Sequence, residues 1–290
     1  MKHHHPYLLE RFSIFIFLFF FLFSPVLFAQ CRDSDFPGAD GVAAAPSRPV
    51  ESSSPDPIQT GVSEFETGFA RTWYGADASQ NLFSNLVKLG VWCNMEVRWS
   101  ANSFVSNNTP VLTNSGFGDN FLAGQYRFHR ETAALPSMAL GYTVKFDSGS
   151  PAKGVGSGSV DHLFMFMLGK TVHKFSVVAN VNFFEIGQGH GNFDHKTEFT
   201  LEASHPLKGH WGVLGEVYYD THLNPDNAAF GNSTWGLTYT LNPRCILDGG
   251  AYLNLTSGPG APGKAAFLGV SYAFANLYPK HRVPVPPVEE

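Results

Sequence analysis

Polar and charged residues of both signs recur at alternating positions along this chain. Lys88, Glu96, Arg98, Asp119, Gln125, Arg127, Lys145, Asp161, Asn180, Glu198, Glu202, Glu216, Tyr218, Asp220 and Asp248 are assigned to one face of extended segments, and Asp147 and Lys196 to the same face. Turned to a common interior, such side chains could form charge rings that select what crosses a polar passage. They could equally pair with one another and fill that interior. The sequence leaves both readings open. Asp119 and Arg127 share a face but stand too far apart to touch, so each needs another partner. Glu96, Arg98, Arg127 and Lys145 belong to three consecutive segments and are expected to lie close together.

Other chemistry is weakly supported. His190 and His195 flank a Gly-rich stretch, but no second ligand pair accompanies them, so no metal and no cofactor are expected. Ser159, Asp161 and His162 supply the residue types of a hydrolytic triad on one short segment, where the triad geometry is hard to reach. No Gly-x-Ser-x-Gly motif stands in a strand-to-helix context. An enzyme is therefore not expected, an outer-membrane hydrolase being the enzymatic alternative. The formal net charge of -5 argues against nucleic acid as a partner. Cys93 and Cys245 fall at tight turns of separated hairpins, so no disulfide is expected between them. Cys31 raises a lipidation reading that Gln30, where a small residue is usual, does not favour.

The elements that would position the charged set follow from periodicity. Residues 1–29 read as a signal peptide: Lys2 and Arg11, an apolar run from Phe12 to Phe28, and Ala29 at the end. His3, His4 and His5 fall inside it. No later stretch is apolar for long enough to make a membrane-spanning helix. Residues 30–58 are rich in Pro and Ser and read as a flexible linker, serving as a spacer or a soft plug. Residues 277–290 read as a disordered Pro-rich tail. Residues 59–276 lie between them and carry a period of two. In one stretch Phe175, Val177, Ala179, Val181 and Phe183 alternate with Ser176, Asn180 and Asn182; in the next, Phe199 and Leu201 alternate with Glu198, Thr200 and Glu202.

About twelve strands follow, near 61–73, 83–91, 95–104, 118–129, 137–148, 161–170, 174–186, 193–205, 210–222, 231–242, 245–256 and 264–275. Tight links alternate with longer ones rich in Gly, Ser and Asn, with 130–136 as the exception. This is the rhythm of an antiparallel transmembrane β-barrel with short turns on one rim and long loops on the other. Only 15% of the residues are charged and 14% are aromatic, which suits a wall that faces lipid on one side. Trp73, Trp92, Trp99, Trp211 and Trp235, with Tyr74, Tyr126, Tyr219 and Tyr239, are candidates for two aromatic girdles. A soluble β-sandwich also alternates, but its outer face should be charged or polar. An even strand number would place both termini in the periplasm.

Several segments resemble a family of outer-membrane transporters named for the meta pathway of phenol degradation. They are Gly116-Phe117-Gly118-Asp119, Ala123-Gly124-Gln125-Tyr126-Arg127-Phe128, Ala139 to Phe146, Gly156 to Asp161, and Leu268 to Phe274. Where that family usually has Pro-Thr-Gly after its lysine strand, this chain has Phe146-Asp147-Ser148-Gly149. The resemblance covers roughly residues 60–275. It implies an outer-membrane channel for passive passage of small molecules, with hydrophobic or aromatic solutes following from the family name alone. Expected partners are outer-membrane lipids, the solute and the barrel assembly machinery. The alternative is a non-conducting envelope barrel with a structural or adhesive role.

Overall fold

Alternation decides the architecture. A strand with apolar residues on one face and polar ones on the other must hide one of them. In the computed structural model the polar face is the hidden one. The structure describes residues 31–37, 41–74, 77–111, 113–188, 191–222, 229–256 and 263–277. The proposed signal peptide and all of the tail after Leu277 lie outside these residues.

The barrel strands are β1 (Val62–Tyr74), β2 (Ala78–Trp92), β3 (Met95–Asn108), β5 (Asn120–His129), β6 (Ser137–Phe146), β7 (Asp161–Val172), β8 (Phe175–Gly187), β9 (Phe193–Pro206), β10 (Trp211–Asp220), β11 (Phe230–Asn242), β12 (Cys245–Asn254) and β13 (Lys264–Asn276). A short extra strand, β4 (Thr113–Gly116), extends the far end of β3. Each barrel strand pairs antiparallel with its neighbours, and β1 pairs with β13, so the twelve-stranded wall closes on itself. Among the described residues, closure leaves each of the twelve wall strands paired on both sides, and only the short β4 keeps a free edge.

The expectation of twelve strands holds, but one link differs. β2 starts at Ala78 rather than near 83, so the long link expected at 74–82 shrinks to residues 75–77. Ser79, Gln80 and Asn81 are polar on both faces there, which erases the period of two while the ladder with β1 continues. The turn rim holds Cys93–Asn94, His173–Lys174, residues 207–210 and Pro243–Arg244. By antiparallel parity, the start of β1 and the end of β13 lie on that same rim.

The outside of the barrel is apolar. Leu122, Phe164, Val181, Phe199, Leu201, Val217, Trp235, Leu237 and Leu268 are all exposed. Among the most deeply buried side chains are Lys88, Glu64, Glu66, Glu216 and Asp220. A water-soluble protein shows the opposite distribution; this one suits lipid outside and a polar lumen inside. Trp92, Trp211 and Tyr239 sit at the turn rim, with Trp211 and Tyr239 in edge contact at 4.8 Å. Trp73 and Tyr219 sit near the other rim. Trp99 and Trp235 lie well within their strands, so the girdle expected of the tryptophans is partial.

Candidate functional site

The lumen is not empty. Residues 41–60 leave the turn rim, rise into the barrel, cross it and return to β1. The same segment reads from its composition as a flexible linker; the wall orders it. Pro46, Pro49, Pro55 and Pro57 keep it out of a ladder, so its free N–H groups need other acceptors. Wall carboxylates and amides supply them.

The first seat is on β1 and β2. Glu64 Oε2 accepts from the Ala45 N–H at 2.6 Å, and Glu66 accepts from those of Ser47 and Arg48 at 2.9 and 3.2 Å. Lys88 Nζ stands 2.6 Å from Glu64 and 2.7 Å from Glu66 and donates to the Ala45 carbonyl. The three charged side chains are at most 2% exposed. Next, Arg48 reaches Asp248 at 3.4 Å and the Leu268 carbonyl at 3.4 Å. Gly68 and Gly269 face each other across the β1–β13 seam directly beneath its guanidinium. A Cβ on Gly68 would fall 2.1 Å from Arg48 Cζ, and one on Gly269 2.4 Å from Arg48 Nε.

The arm then reaches the opposite wall. Glu216 accepts from the N–H groups of Glu51 and Ser52 at 3.0 and 2.7 Å, and the Ser52 hydroxyl donates to Thr200 at 2.9 Å. Asn180 clamps Ser53 through both amide atoms, at 2.6 and 3.0 Å. Gln125 donates to the Ser54 carbonyl at 3.2 Å, and Glu96 accepts from the Ile58 N–H at 2.6 Å. Arg127 and Ser137 hold Asp56 at 2.7 and 2.8 Å. Pro55 packs on Gly169 of β7 and Pro49 on Gly236 of β11, so close that a Cβ would meet them at 2.7 and 3.2 Å. The arm thus touches every one of the twelve barrel strands.

Its root is tied as well. Cys31 forms a disulfide with Cys93 of the β2–β3 turn. Asp35 receives both guanidinium nitrogens of Arg130, at 2.5 and 2.6 Å, and Arg127 at 3.2 Å. Cys245 is free. The lipidation reading of Cys31 is incompatible with this bond. A segment read as a flexible linker fixes no distance between Cys31 and Cys93, 62 positions apart, so the pairing is not apparent from spacing.

The fifteen residues singled out in the sequence are all buried or half-buried. Not all gather as expected. Glu96, Arg98 and Gln125 do come together, with Arg98 2.7 Å from Gln125. Arg127 instead serves Asp35 and Asp56 at the turn rim. Lys145 sits toward the loop rim with Asp161 and Asp119, the latter at 3.8 Å. The reason is strand length: positions on adjacent strands share a level only where register brings them opposite, and Lys145 pairs with Phe121 and Asp161, far from Arg127. Asp119 also accepts from the Gly149 N–H at 2.8 Å, which fixes the 147–160 link against β5. Asp147 is exposed in that link.

On β9 and β10, Lys196 pairs with Asp220 at 2.8 Å and Asn182 donates to Glu198 at 2.7 Å. Among the described residues, Glu198, Glu202 and Glu216 have no Lys, Arg or His within ion-pair distance, so acidic groups outnumber basic ones on this wall. β6 and β7 differ, presenting Ala139, Leu163, Met165 and Met167 as an apolar interior cluster. Glu51 meets lumen water but is ringed by the wall. That enclosure, and then the facing carboxylates of Glu198 and Glu216, push its carboxyl up to about 8; Asp220 acts in the same direction and Lys196 opposes it.

The family described as putative MetA-pathway of phenol degradation matches residues 47–274. The chain belongs to this family. The match begins within the arm, so the family's extent takes in part of the lumen segment as well as the wall. Among solved structures, an outer membrane channel from Pseudomonas putida F1 superposes with a TM-score of 0.61 at 11% identity, covering 78% of this chain and all of that one. The NanC porin superposes with a TM-score of 0.53 at 10% identity, covering 73% of this chain and 100% of that one. At these identities the likeness is one of fold: an outer-membrane type β-barrel. A search of curated proteins gives no significant match.

Other candidates resolve structurally. Asp161 faces inward to Lys145, whereas His162 faces outward against Tyr142, with Nδ1 2.7 Å from the phenol oxygen. The two cannot serve one triad. His195 stacks on Phe183 at 5.8 Å, and His190 lies outside the described residues. Among the described residues no group of three His, Cys, Asp or Glu side chains is arranged to hold a metal. Sequence reasoning missed Glu64, Glu66, Arg48, Asp35 and Asp56. The alternation of Glu64-Phe65-Glu66 was the available signal for the first two.

Proposed function

We propose that this member of the family is an outer-membrane channel for passive passage of small molecules, held shut in this conformation by its own N-terminal arm. The observation that carries the reading is a closed barrel with an apolar outside and a charged lumen, occupied by a segment gripped through side chains rather than strand pairing. Side-chain grips can be released without breaking the wall. The family's description, naming phenol degradation, and the methionine cluster on β7 favour hydrophobic or aromatic solutes. The even strand number supports both termini lying in the periplasm, if the turns form the periplasmic rim as in outer-membrane barrels. The alternating β13, ending near Phe274, is the segment the barrel assembly machinery would engage. The inner residues divide: Lys88, Glu96, Gln125, Arg127, Asn180 and Glu216 seat the arm, Asp119, Lys145 and Asp161 hold one another beside the 147–160 link, and Glu198, Glu202 and Asp220 line the passage.

Single-channel recording in planar bilayers and solute-driven swelling of liposomes test this. Intermittent current steps and measurable swelling are expected. A folded, heat-modifiable protein that gives neither, even with residues 41–57 deleted, overturns it and favours the non-conducting barrel.

Glu51 adds a pH dependence. The seated arm keeps this carboxyl protonated up to about 8, whereas a released arm titrates near the ordinary value of 4.5. Seating is therefore fully favoured below the lower value and weakens as pH climbs towards the upper one. Open probability should rise between about pH 4.5 and about pH 8, and Glu51→Gln should flatten that rise.

A further inference from the structure

The arm is fixed at both ends. It runs into β1 at residue 61, and Cys31 is bonded to Cys93 on the β2–β3 turn. Cys93 is 3% exposed while Cys31 is exposed. Between the two anchors the arm forms a covalent loop threaded into the lumen and held by the contacts described above. Both anchors stand on the turn rim, so the loop can leave its seat only by turning out there as a closed loop, and the crosslink limits the freedom that a released arm gains. Asp35, four residues beyond the disulfide, adds a charged anchor of its own on Arg130 and Arg127. That anchor can part and re-form in water, whereas the disulfide needs electrons.

We propose that the Cys31–Cys93 disulfide is a redox latch on the lumen, resting on the reading of the protein as a channel. Oxidised, it restricts the released arm and so favours the seat; reduced, it gives residues 31–57 more freedom outside the lumen and so favours release. A dithiol is the reductant. Its thiolate attacks the accessible Cys31 sulfur, the S–S bond breaks, and Cys93 departs as a thiolate that takes up a proton. The second thiol of the reductant then attacks the mixed disulfide and releases Cys31 as a thiol. Two electrons and two protons reach the protein, and the reductant becomes a disulfide. In an oxidising compartment such as the periplasm the bonded form is the resting state, and a dithiol has to be supplied to release it.

The test is planar-bilayer recording and liposome swelling on the full chain, with and without dithiothreitol. Wild type should open about tenfold more often after reduction, a modest shift in a two-state equilibrium. Cys31→Ser and Cys93→Ser should match the reduced wild type and ignore dithiothreitol. Cys245→Ser should respond as wild type does. Because the reagent acts on the unaltered protein, the test survives misfolding of a serine variant. A wild type indifferent to dithiothreitol, beside a conducting 41–57 deletion, overturns the latch and leaves the channel intact. A folded deletion that passes nothing overturns the channel reading and the latch with it.

Discussion

Replacing Lys88 by methionine should unseat the arm. The ammonium sits 2.6 and 2.7 Å from two carboxylates that are themselves fully buried, and it neutralises them while they hold three arm N–H groups. Removing one partner of a buried ion cluster costs about 3–5 kcal/mol, because the remaining charges stay desolvated and uncompensated. Lys88→Met should therefore raise open probability strongly and lower the temperature at which the fast-migrating folded band is lost on gels. Adding Glu64→Gln and Glu66→Gln should recover part of the loss, since the orphaned charges disappear. A triple variant no better than Lys88→Met would show that packing, not charge, holds this seat.

Leu201→Arg should block assembly. Leu201 is central on β9, faces outward and is 51% exposed. If that face meets lipid, a guanidinium near the midplane costs about 2–4 kcal/mol. If it met water, as in a sandwich, an exposed substitution would move stability by only about 0.5 kcal/mol. Refolding yield into liposomes, read by heat-modifiable mobility, separates the two. Normal yield for the arginine variant would contradict the assignment of the outer face.

The wall was legible because one physical rule governs it. Lipid outside and polar groups inside impose a period of two, and Phe199, Leu201 and Glu202 obey it without reference to any distant residue. Where the rule relaxes, at Ser79 to Asn81, the strand start was misjudged. A soft plug was one reading of the arm, but its course and its bonds were illegible for the converse reason. Its Pro and Ser residues have no period, and its bonds join partners as distant as Glu51 and Glu216, 165 positions apart. Composition describes what such a segment does in water, not inside a tube lined with acceptors. The same cause hid the disulfide: only the course of the arm brings Cys31 to Cys93. Arg127 and Lys145 illustrate the intermediate case, where face was readable and height along the strand was not.

The glycine pair beneath Arg48 bears on the order of assembly. Gly68 and Gly269 belong to the first and last strands of the wall, so the shelf on which the guanidinium rests does not exist until the cylinder has shut. Asp248 alone could attract Arg48 earlier, but the full seat is a product of closure. Occupancy of this shelf by the arginine therefore reports a finished barrel.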